Sequence, residues 1–425
     1  MPTVMLVSMV IFFAFSIPIA VSIGFASVTG VQVFGGVPML VVPKEIYSAI
    51  DKFALGAIPF FILAGNIMET GGISNRLVNF AKSVVGWMQG GLAMTCVVTC
   101  MIFAAVSGSG PATTFAIGAI LIPALVKHGY PVNFAAALQA TSAELGVIIP
   151  PSIPMIIYGV SAEVSIGELF IAGFGPGVLI GGSLLLFVWC WCKFKGFGKD
   201  DHQGRMQFLL ATKEAAFALM MPVIILGGIY GGVFTPTEAS VVAVFYALFV
   251  GMGIYREIRL KDLFPILRKS VISSAVIMFI IANAGMFSYL IARAGVPEAI
   301  GEFLKQHLSS GTAFLLGVNV ALFLIGMFIE TSSSIIVLAP ILVPVAIKFG
   351  VDPVHFGLIM VVNLACGMIT PPFGVNLFAA CAVARISVDQ IVRQLIPFVL
   401  AVLGCLMLIT YFPQISLSLR DLIYR

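Results

Sequence analysis

Apolar segments long enough to cross a bilayer follow one another along this chain with little polar sequence between them. Runs near 3–23, 25–43, 48–69, 132–160, 168–192, 206–230, 237–255, 271–292, 353–384 and 388–412 approach or exceed spanning length. Backbone amides in hydrocarbon must be paired within their own segment, so runs of this kind commit the chain to helices. Composition agrees: 60% of the 425 residues are hydrophobic and 9% charged, against roughly 25% charged in a soluble domain. That balance excludes a nucleic-acid binder, a cytosolic enzyme and a disordered scaffold. We expect an all-α polytopic membrane protein. The seven cysteines lie in or beside apolar runs without metal-ligand spacing and read as packing residues. No cleavable signal is expected, because no basic residue precedes the first run and no small-residue cleavage pattern follows it.

Two longer stretches, 92–127 and 313–348, are interrupted by polar clusters, Ser107-Gly-Ser-Gly-Pro-Ala-Thr-Thr114 and Glu330-Thr-Ser-Ser-Ser334. Arms of about 13–16 residues would be about 20–24 Å long, short of a ~30 Å hydrocarbon core. Each stretch therefore reads as a re-entrant helical hairpin with its tip at membrane depth.

The second half of the chain repeats the first. A shift of 221 or 222 residues places Pro123 on Pro344, Gly129 on Gly350, Pro131 on Pro353, Pro150-Pro151 on Pro371-Pro372, Ser165 on Ser387 and Pro176 on Pro397. Glycine and proline matches carry weight because these residues mark backbone geometry. The reading divides the chain into a first repeat (1–195), a cytoplasmic connector (196–205), a second repeat (206–415) and a carboxyl-terminal tail (416–425). Each repeat holds three spans, an amphipathic segment (Ile73–Met88 or Val296–Leu308), a hairpin, a helix broken at Pro-Pro (132–160 or 353–384) and a last span. A hairpin returns to its starting side, so each repeat crosses five times and the two repeats are inverted, the plan of secondary transporters. Basic residues support this. With loops 193–213 and 256–269 in the cytoplasm, only Lys44, Lys52, Arg293, Lys305, Lys348, Arg420 and Arg425 of the 22 basic residues fall outside. Both termini are then expected outside.

Enzyme signatures are absent: the four histidines stand alone, and there is no phosphate-binding loop for ATP hydrolysis. The chemistry lies instead in two hairpin tips and two Pro-Pro breaks. Proline frees carbonyls about four residues back, here at Gly146–Val147 and Gly367–Met368. Bare carbonyls at depth are costly unless they line a polar cavity, and a sodium ion accepts such carbonyl and hydroxyl oxygens without a carboxylate. One expected cation site combines Ser107, Gly108 and Ser109 with Gly146, Pro150 and Pro151. The other combines Thr331, Ser332 and Ser333 with Gly367 and Thr370. Helix amino ends carry partial positive charge, so an anion site is expected between them, built from Gly110, Thr113, Ser152, Arg293, Glu330 and Asn376. Arg293 either meets substrate or snorkels to the interface. Glu238 is either a helix cap or a site residue. No cofactor beyond sodium is expected.

These residues resemble the large membrane subunit of TRAP (tripartite ATP-independent periplasmic) transporters. The resemblance covers nearly the whole chain and rests on Ile58-Pro-Phe-Phe-Ile-Leu-Ala-Gly65, Gly71-Gly-Ile-Ser74, Ser107-Gly-Ser109, Ile120-Leu-Ile-Pro123, Ile148-Ile-Pro-Pro-Ser-Ile-Pro154, Thr235-Pro-Thr-Glu238, Asp352-Pro-Val-His-Phe-Gly357 and Thr370-Pro-Pro-x-Gly-x-Asn376. It implies sodium-driven uptake of a carboxylate-bearing solute across the bacterial inner membrane by an elevator motion. It also implies two protein partners, a small four-helix membrane subunit and a periplasmic solute-binding protein, beside membrane lipid and without nucleic acid. Overall likeness leans toward a sialic acid over a C4-dicarboxylate. Two positions depart from the family pattern: Gly110-Pro-Ala-Thr113 follows the first tip where small residues and an Asp are common, and Glu144 replaces a small polar residue. The small subunit is not expected to be fused to this chain. The rival reading is a stand-alone sodium/dicarboxylate symporter of similar architecture that needs no binding protein.

Overall fold

The structure, a computed structural model, describes residues 2–34, 36–198, 208–307 and 310–424. Most of the expected connector, with Lys199 and Arg205, and the last residue of the expected tail lie outside the described residues. Every regular element among the described residues is helical. Eight helices have the length and hydropathy of membrane spans, or nine if the pair bent by 41° at Ile149–Ser152 counts as one more.

The second half opens with helices Phe208–Tyr230 and Pro236–Leu248 (continued by a π turn to Ile254), near the expected runs, but the third, Leu260–Arg293, begins well before the expected span 271–292, so residues 260–269 of the expected loop are helical. Glu238 resolves as part of a capping box: its carboxylate accepts from the Thr235 amide at 2.8 Å while the Thr235 hydroxyl accepts from the Glu238 amide at 3.3 Å. The amino-terminal quarter departs from expectation. Run 3–23 is not one span but two helices, Pro2–Ala14 and Ile19–Phe34, parted at Ser16 (φ 58°) ahead of Pro18. Run 25–43 likewise ends at Phe34, and a short helix, Val41–Ile50, follows. Proline has no amide to donate and disfavours helix in the residue before it, which a hydropathy reading ignores.

Both amphipathic segments are helices, Ile73–Val85 and Val296–His307. The first buries Ile73, Leu77, Ala81 and Val85, one face at four-residue spacing, against helices Gly91–Ser107 and Phe208–Tyr230. Its polar face is tied down by Arg76, which lies 2.6 Å from Glu257 and over the Tyr255 ring.

Both interrupted stretches fold back on themselves. The first hairpin pairs Gly91–Ser107 with Gly110–Lys127, and the second Gly311–Gly326 with Thr331–Lys348. Their arms are 16–18 residues long, longer than the reading expects, because most of each polar cluster is helical. Only Gly108 and Ser109 leave the helix in the first tip, and residues 327–330 in the second. The broken helices run Val132–Ile148 then Ile153–Ala162, and Pro353–Met368 then Val375–Ala384.

Helix Ile166–Lys195 serves as a ruler. Its 30 residues extend about 45 Å. At its carboxyl end the base of the first hairpin is tied on, with the Gly90 amide donating to Gly198 and the Tyr130 ring 5.7 Å from that of Phe197. At its amino end Glu168 meets Arg420, which donates to Asp352 at the base of the second hairpin. The bases of the two hairpins thus sit at opposite ends of one long helix. Backbone detail repeats as the sequence shift predicts: Glu163 and Arg385 share φ 56°, Gly129 and Gly350 lie at 83° and 76°, and Pro150-Pro151 and Pro371-Pro372 are both cis. The described part of the expected tail lies in a helix, Gln414–Tyr424, packed on Ile166–Lys195.

Candidate substrate and cation site

At the first tip, Gly108 takes a left-handed conformation (φ 61°) that reverses the chain without a Cβ penalty. The Ser107 hydroxyl lies 2.8 Å from the Thr113 hydroxyl, and Thr113 donates to the Ser109 carbonyl at 2.8 Å. The short helical turn Leu145–Ile148 seats Gly146 against this knot. A Cβ on Gly146 would stand 2.7 Å from Thr113 Oγ1 and 2.8 Å from Ser109 O. The break docks onto the same tip, since the Ile153 amide donates to Gly108 O at 3.3 Å. Ser107, Gly108, Ser109, Thr113, Gly146 and the Pro150-Pro151 break are therefore brought together. Their hydroxyl and carbonyl oxygens converge within hydrogen-bond distance of one another.

The second junction follows the same plan with different contacts. The Phe373 amide donates to Met327 O at 3.1 Å, so this break also docks on its hairpin turn. Gly326 and Gly367 meet backbone to backbone, with no room for a side chain on either. Glu330 caps helix Thr331–Lys348 by accepting from the Ser333 amide at 3.1 Å and the Ser332 hydroxyl at 2.9 Å. Thr331 points its hydroxyl at Met368 Sδ, and Thr370 donates to Cys366 O at 2.9 Å.

The halves meet at Asn376, whose amide donates to Glu144 Oε1 at 2.7 Å. Both side chains are fully buried, and neither Glu144 Oε2 nor Asn376 Oδ1 has a partner among the described residues. Gly110, at the amino end of the second arm, abuts Asn376: a Cβ there would lie 2.5 Å from Nδ2. So Glu144, singled out by sequence as a departure, bonds a residue of the other half.

Three expected roles change. Arg293 is exposed and donates to Tyr289 at 3.1 Å and Gly36 O at 3.4 Å, residues outside both tips. Its place at the end of a long helix decides that, as the snorkelling alternative allowed. The Ser152 hydroxyl is fully buried and donates to Val147 O at 2.6 Å, so it closes one of the carbonyls expected to be free. Gly367 O is likewise taken, by the Thr370 amide at 2.9 Å. Polar groups at a break satisfy each other wherever geometry allows, because an orphan acceptor in apolar surroundings is costly.

A cleft of about 340 Å³ opens beside the first tip. One wall carries Ser107, Ser109 and Pro111; the other carries Gly65, Asn66 and Glu69 of helix Ala57–Thr70 and Lys269, Ser273 and Ile277 of Leu260–Arg293. Asn66 donates to Ser270 at 2.8 Å, and Lys269 pairs with Glu69 at 2.8 Å. Sequence reasoning placed none of Asn66, Lys269 and Ser273 at a site. A lone Asn inside an apolar run was the one available signal. A second cleft of about 310 Å³ lies further along the same long helix, lined by Glu45, Lys52, Ser161, Glu163, Tyr289 and Pro340 among others. No group of three His, Cys, Asp or Glu among the described residues is placed to hold a metal ion.

An all-helical membrane fold with paired hairpins, paired breaks and a cleft beside the first tip points to a transporter permease. Comparison with known proteins gives the family. Residues 6–415 match the family profile of the tripartite ATP-independent periplasmic transporter, DctM component. The chain is 40% identical to the C4-dicarboxylate TRAP transporter large permease protein DctM of Rhodobacter capsulatus, over 96% of each chain. It is 42% identical to the isethionate TRAP transporter permease protein DctMQ of Oleidesulfovibrio alaskensis, over 96% of this chain and 64% of that longer protein. It is 35% identical to the ectoine TRAP transporter large permease protein TeaC of Halomonas elongata, over the full length of both. Among solved structures, the YdaH transporter of Alcanivorax borkumensis matches with a TM-score of 0.66 over 88% of each chain, at 14% identity, a likeness of fold alone. The chain belongs to the DctM family of TRAP transporter large permeases.

Proposed function

We propose that this chain is the large membrane subunit of a sodium-coupled importer of a carboxylate-bearing solute, working in the bacterial inner membrane with both termini on the periplasmic side. The solute is handed over by a periplasmic binding protein, and a small four-helix subunit completes the membrane part. The carrying observation is the pair of tip-and-break junctions, of which the first presents converging hydroxyl and carbonyl oxygens directly beside a cleft that holds one lysine and one glutamate. Sodium would be held by Ser107, Ser109, Thr113 and the backbone around Gly146; the solute would occupy the adjoining cleft.

The transport motion in this reading is an elevator within an inverted repeat. The re-entrant hairpins and broken helices move together against helices Ala57–Thr70 and Leu260–Arg293. The two clefts support it, because they flank the long helix near Ser273 and Gly285, about 18 Å apart along its axis, one toward each end. Relatives named for C4-dicarboxylates, 2,3-diketo-L-gulonate and ectoine favour a small organic acid, and C4-dicarboxylates come before a sialic acid. The test is uptake of [14C]succinate and radiolabelled N-acetylneuraminate into proteoliposomes holding this chain and the small subunit, with the binding protein outside. Uptake is expected to require an inward sodium gradient, to ignore ATP and to vanish without the binding protein. Uptake driven by protons with sodium replaced by choline would overturn the coupling. Uptake by the chain alone would establish the stand-alone symporter.

A further inference from the structure

We propose that Lys269 receives the substrate carboxylate on the scaffold wall of the cleft, and that Glu69 occupies the same ammonium while the cleft is empty. This rests on the solute being a carboxylate, as proposed above. Among the residues lining the cleft, Lys269 and Glu69 alone are charged, and they face the Ser107 and Ser109 wall. Their ion pair is 2.8 Å long and partly exposed, with 59% of the Lys269 side chain and 32% of Glu69 open to solvent.

An exposed pair of this kind contributes little to stability, so exchanging its carboxylate for another changes the energy little. Glu69 is also poorly placed to hold on. It lies in the last turn of helix Ala57–Thr70, where the partial negative charge of the helix end repels a carboxylate. Lys269 lies inside Leu260–Arg293, away from both of its ends, and suffers no such penalty. Asn66, fixed by its bond to Ser270, and Ser273 line the same cleft and would serve as donors for the remaining oxygens of a bound acid. A bound solute would thus be held between a tip that moves and a lysine that does not, and would lose the lysine as the tip withdraws.

The two halves of the ion pair are then expected to act in opposite directions, which a merely structural salt bridge would not do. The complete complex is reconstituted under a saturating sodium gradient, and KM is measured for whichever of succinate and N-acetylneuraminate the wild type accumulates. Lys269→Gln is expected to raise KM by about tenfold, the loss of one charge-assisted contact, with the sodium half-saturation unchanged. Lys269→Arg should stay near wild type, and Glu69→Gln should lower KM. Lys261→Gln, an exposed lysine at the start of the same helix, should leave KM unchanged. Equal shifts in Glu69→Gln and Lys269→Gln, an unaltered KM in both, or a matching rise in Lys261→Gln would each overturn the proposal. If Lys269→Gln does not assemble, Glu69→Gln decides: a raised or unchanged KM overturns it. A wild-type complex that accumulates only solutes lacking a carboxylate would overturn the solute class and this site with it. A sodium-driven wild type that takes up either acid, with no divergence between the variants, would overturn this site alone.

Discussion

The two tip-and-break junctions share a backbone and differ in what fills it. In both, an amide after the Pro-Pro break donates to a carbonyl of the hairpin turn, Ile153 to Gly108 and Phe373 to Met327. At the first, hydroxyls and a carbonyl converge at Ser107, Ser109 and Thr113, and a cleft opens alongside. At the second, Gly326 and Gly367 close the gap backbone to backbone, while Glu330 and Thr331 are engaged in capping and with Met368. Pseudo-symmetry therefore governs where the chain may be irregular but not which side chains occupy that irregularity. The first junction gathers hydroxyls and a carbonyl beside a cleft, and the second brings two glycine backbones into contact.

That contrast fails most visibly if the glycines behave alike. Gly367→Ala should be the most damaging change, since a new Cβ would collide with the Gly326 backbone, which cannot rotate away. A loss of about 1–3 kcal/mol or more should appear as a large fall in the melting temperature of the detergent-extracted protein. Gly146→Ala meets one hydroxyl, which can turn, and one carbonyl, so it should melt closer to wild type while weakening sodium dependence. A larger stability loss in Gly146→Ala would reverse the assignment of the two junctions.

Next in size is the link between the halves. Asn376→Ala removes the one described donor to a fully buried Glu144 and should cost on the order of 1–3 kcal/mol. Glu144→Gln keeps the shape and an acceptor for Asn376, so its melting temperature should fall less. Equal losses would mean that shape rather than the hydrogen bond matters there.

Sodium affinity separates the junctions more finely. Ser107→Ala and Thr113→Val each remove an oxygen of the first knot, a loss of roughly 1–3 kcal/mol, or about 5- to 150-fold in the sodium concentration for half-maximal uptake. Ser109→Ala should do little, because its carbonyl rather than its hydroxyl joins the network. Thr331→Ala should also have a small effect, its hydroxyl facing sulfur. Unchanged sodium dependence in both Ser107→Ala and Thr113→Val would return the first tip to packing.

The smallest expected effect lies at the base of the second hairpin. Burial pushes the Asp352 carboxyl up, but the Arg420 hydrogen bond and charge, with the amides of His355 and Val354, offset this and hold it below its ordinary range. A carboxylate depressed in the folded state contributes stability above its unfolded pKa of about 4 and loses it as pH falls through the folded value. Melting temperature should therefore drop below about pH 4 by a little more in wild type than in Asp352→Asn, which lacks the titrating group. Identical acid profiles would remove this tie from the account of the second half.

Sequence alone determined the elements whose cause is local or periodic. Apolar length gave most of the spans, the amphipathic character of Ile73–Met88 marked the first such helix, and the shift of 221 or 222 residues gave paired hairpins and breaks, because glycine and proline restrict their own backbone wherever they stand. It also drew attention to Glu144 and to the first tip. Where proline and short polar clusters compete with hydropathy, as at Ser16–Pro18 and at Gly110–Thr114, the reading misplaced helix ends, since a backbone can bend or stay helical with the same residues. What only the tertiary structure decided is partnership across long separations. It joined Glu144 to Asn376 and Asn66 to Ser270, it turned Ser152 back on Val147, and it placed Arg293 outside both tips. Lysine 269 and Glu69 stand 200 residues apart in the chain, and no local rule of helix or turn brings them to one cleft. Their meeting depends on how helices Ala57–Thr70 and Leu260–Arg293 pack, an outcome of burying whole faces that no single residue encodes.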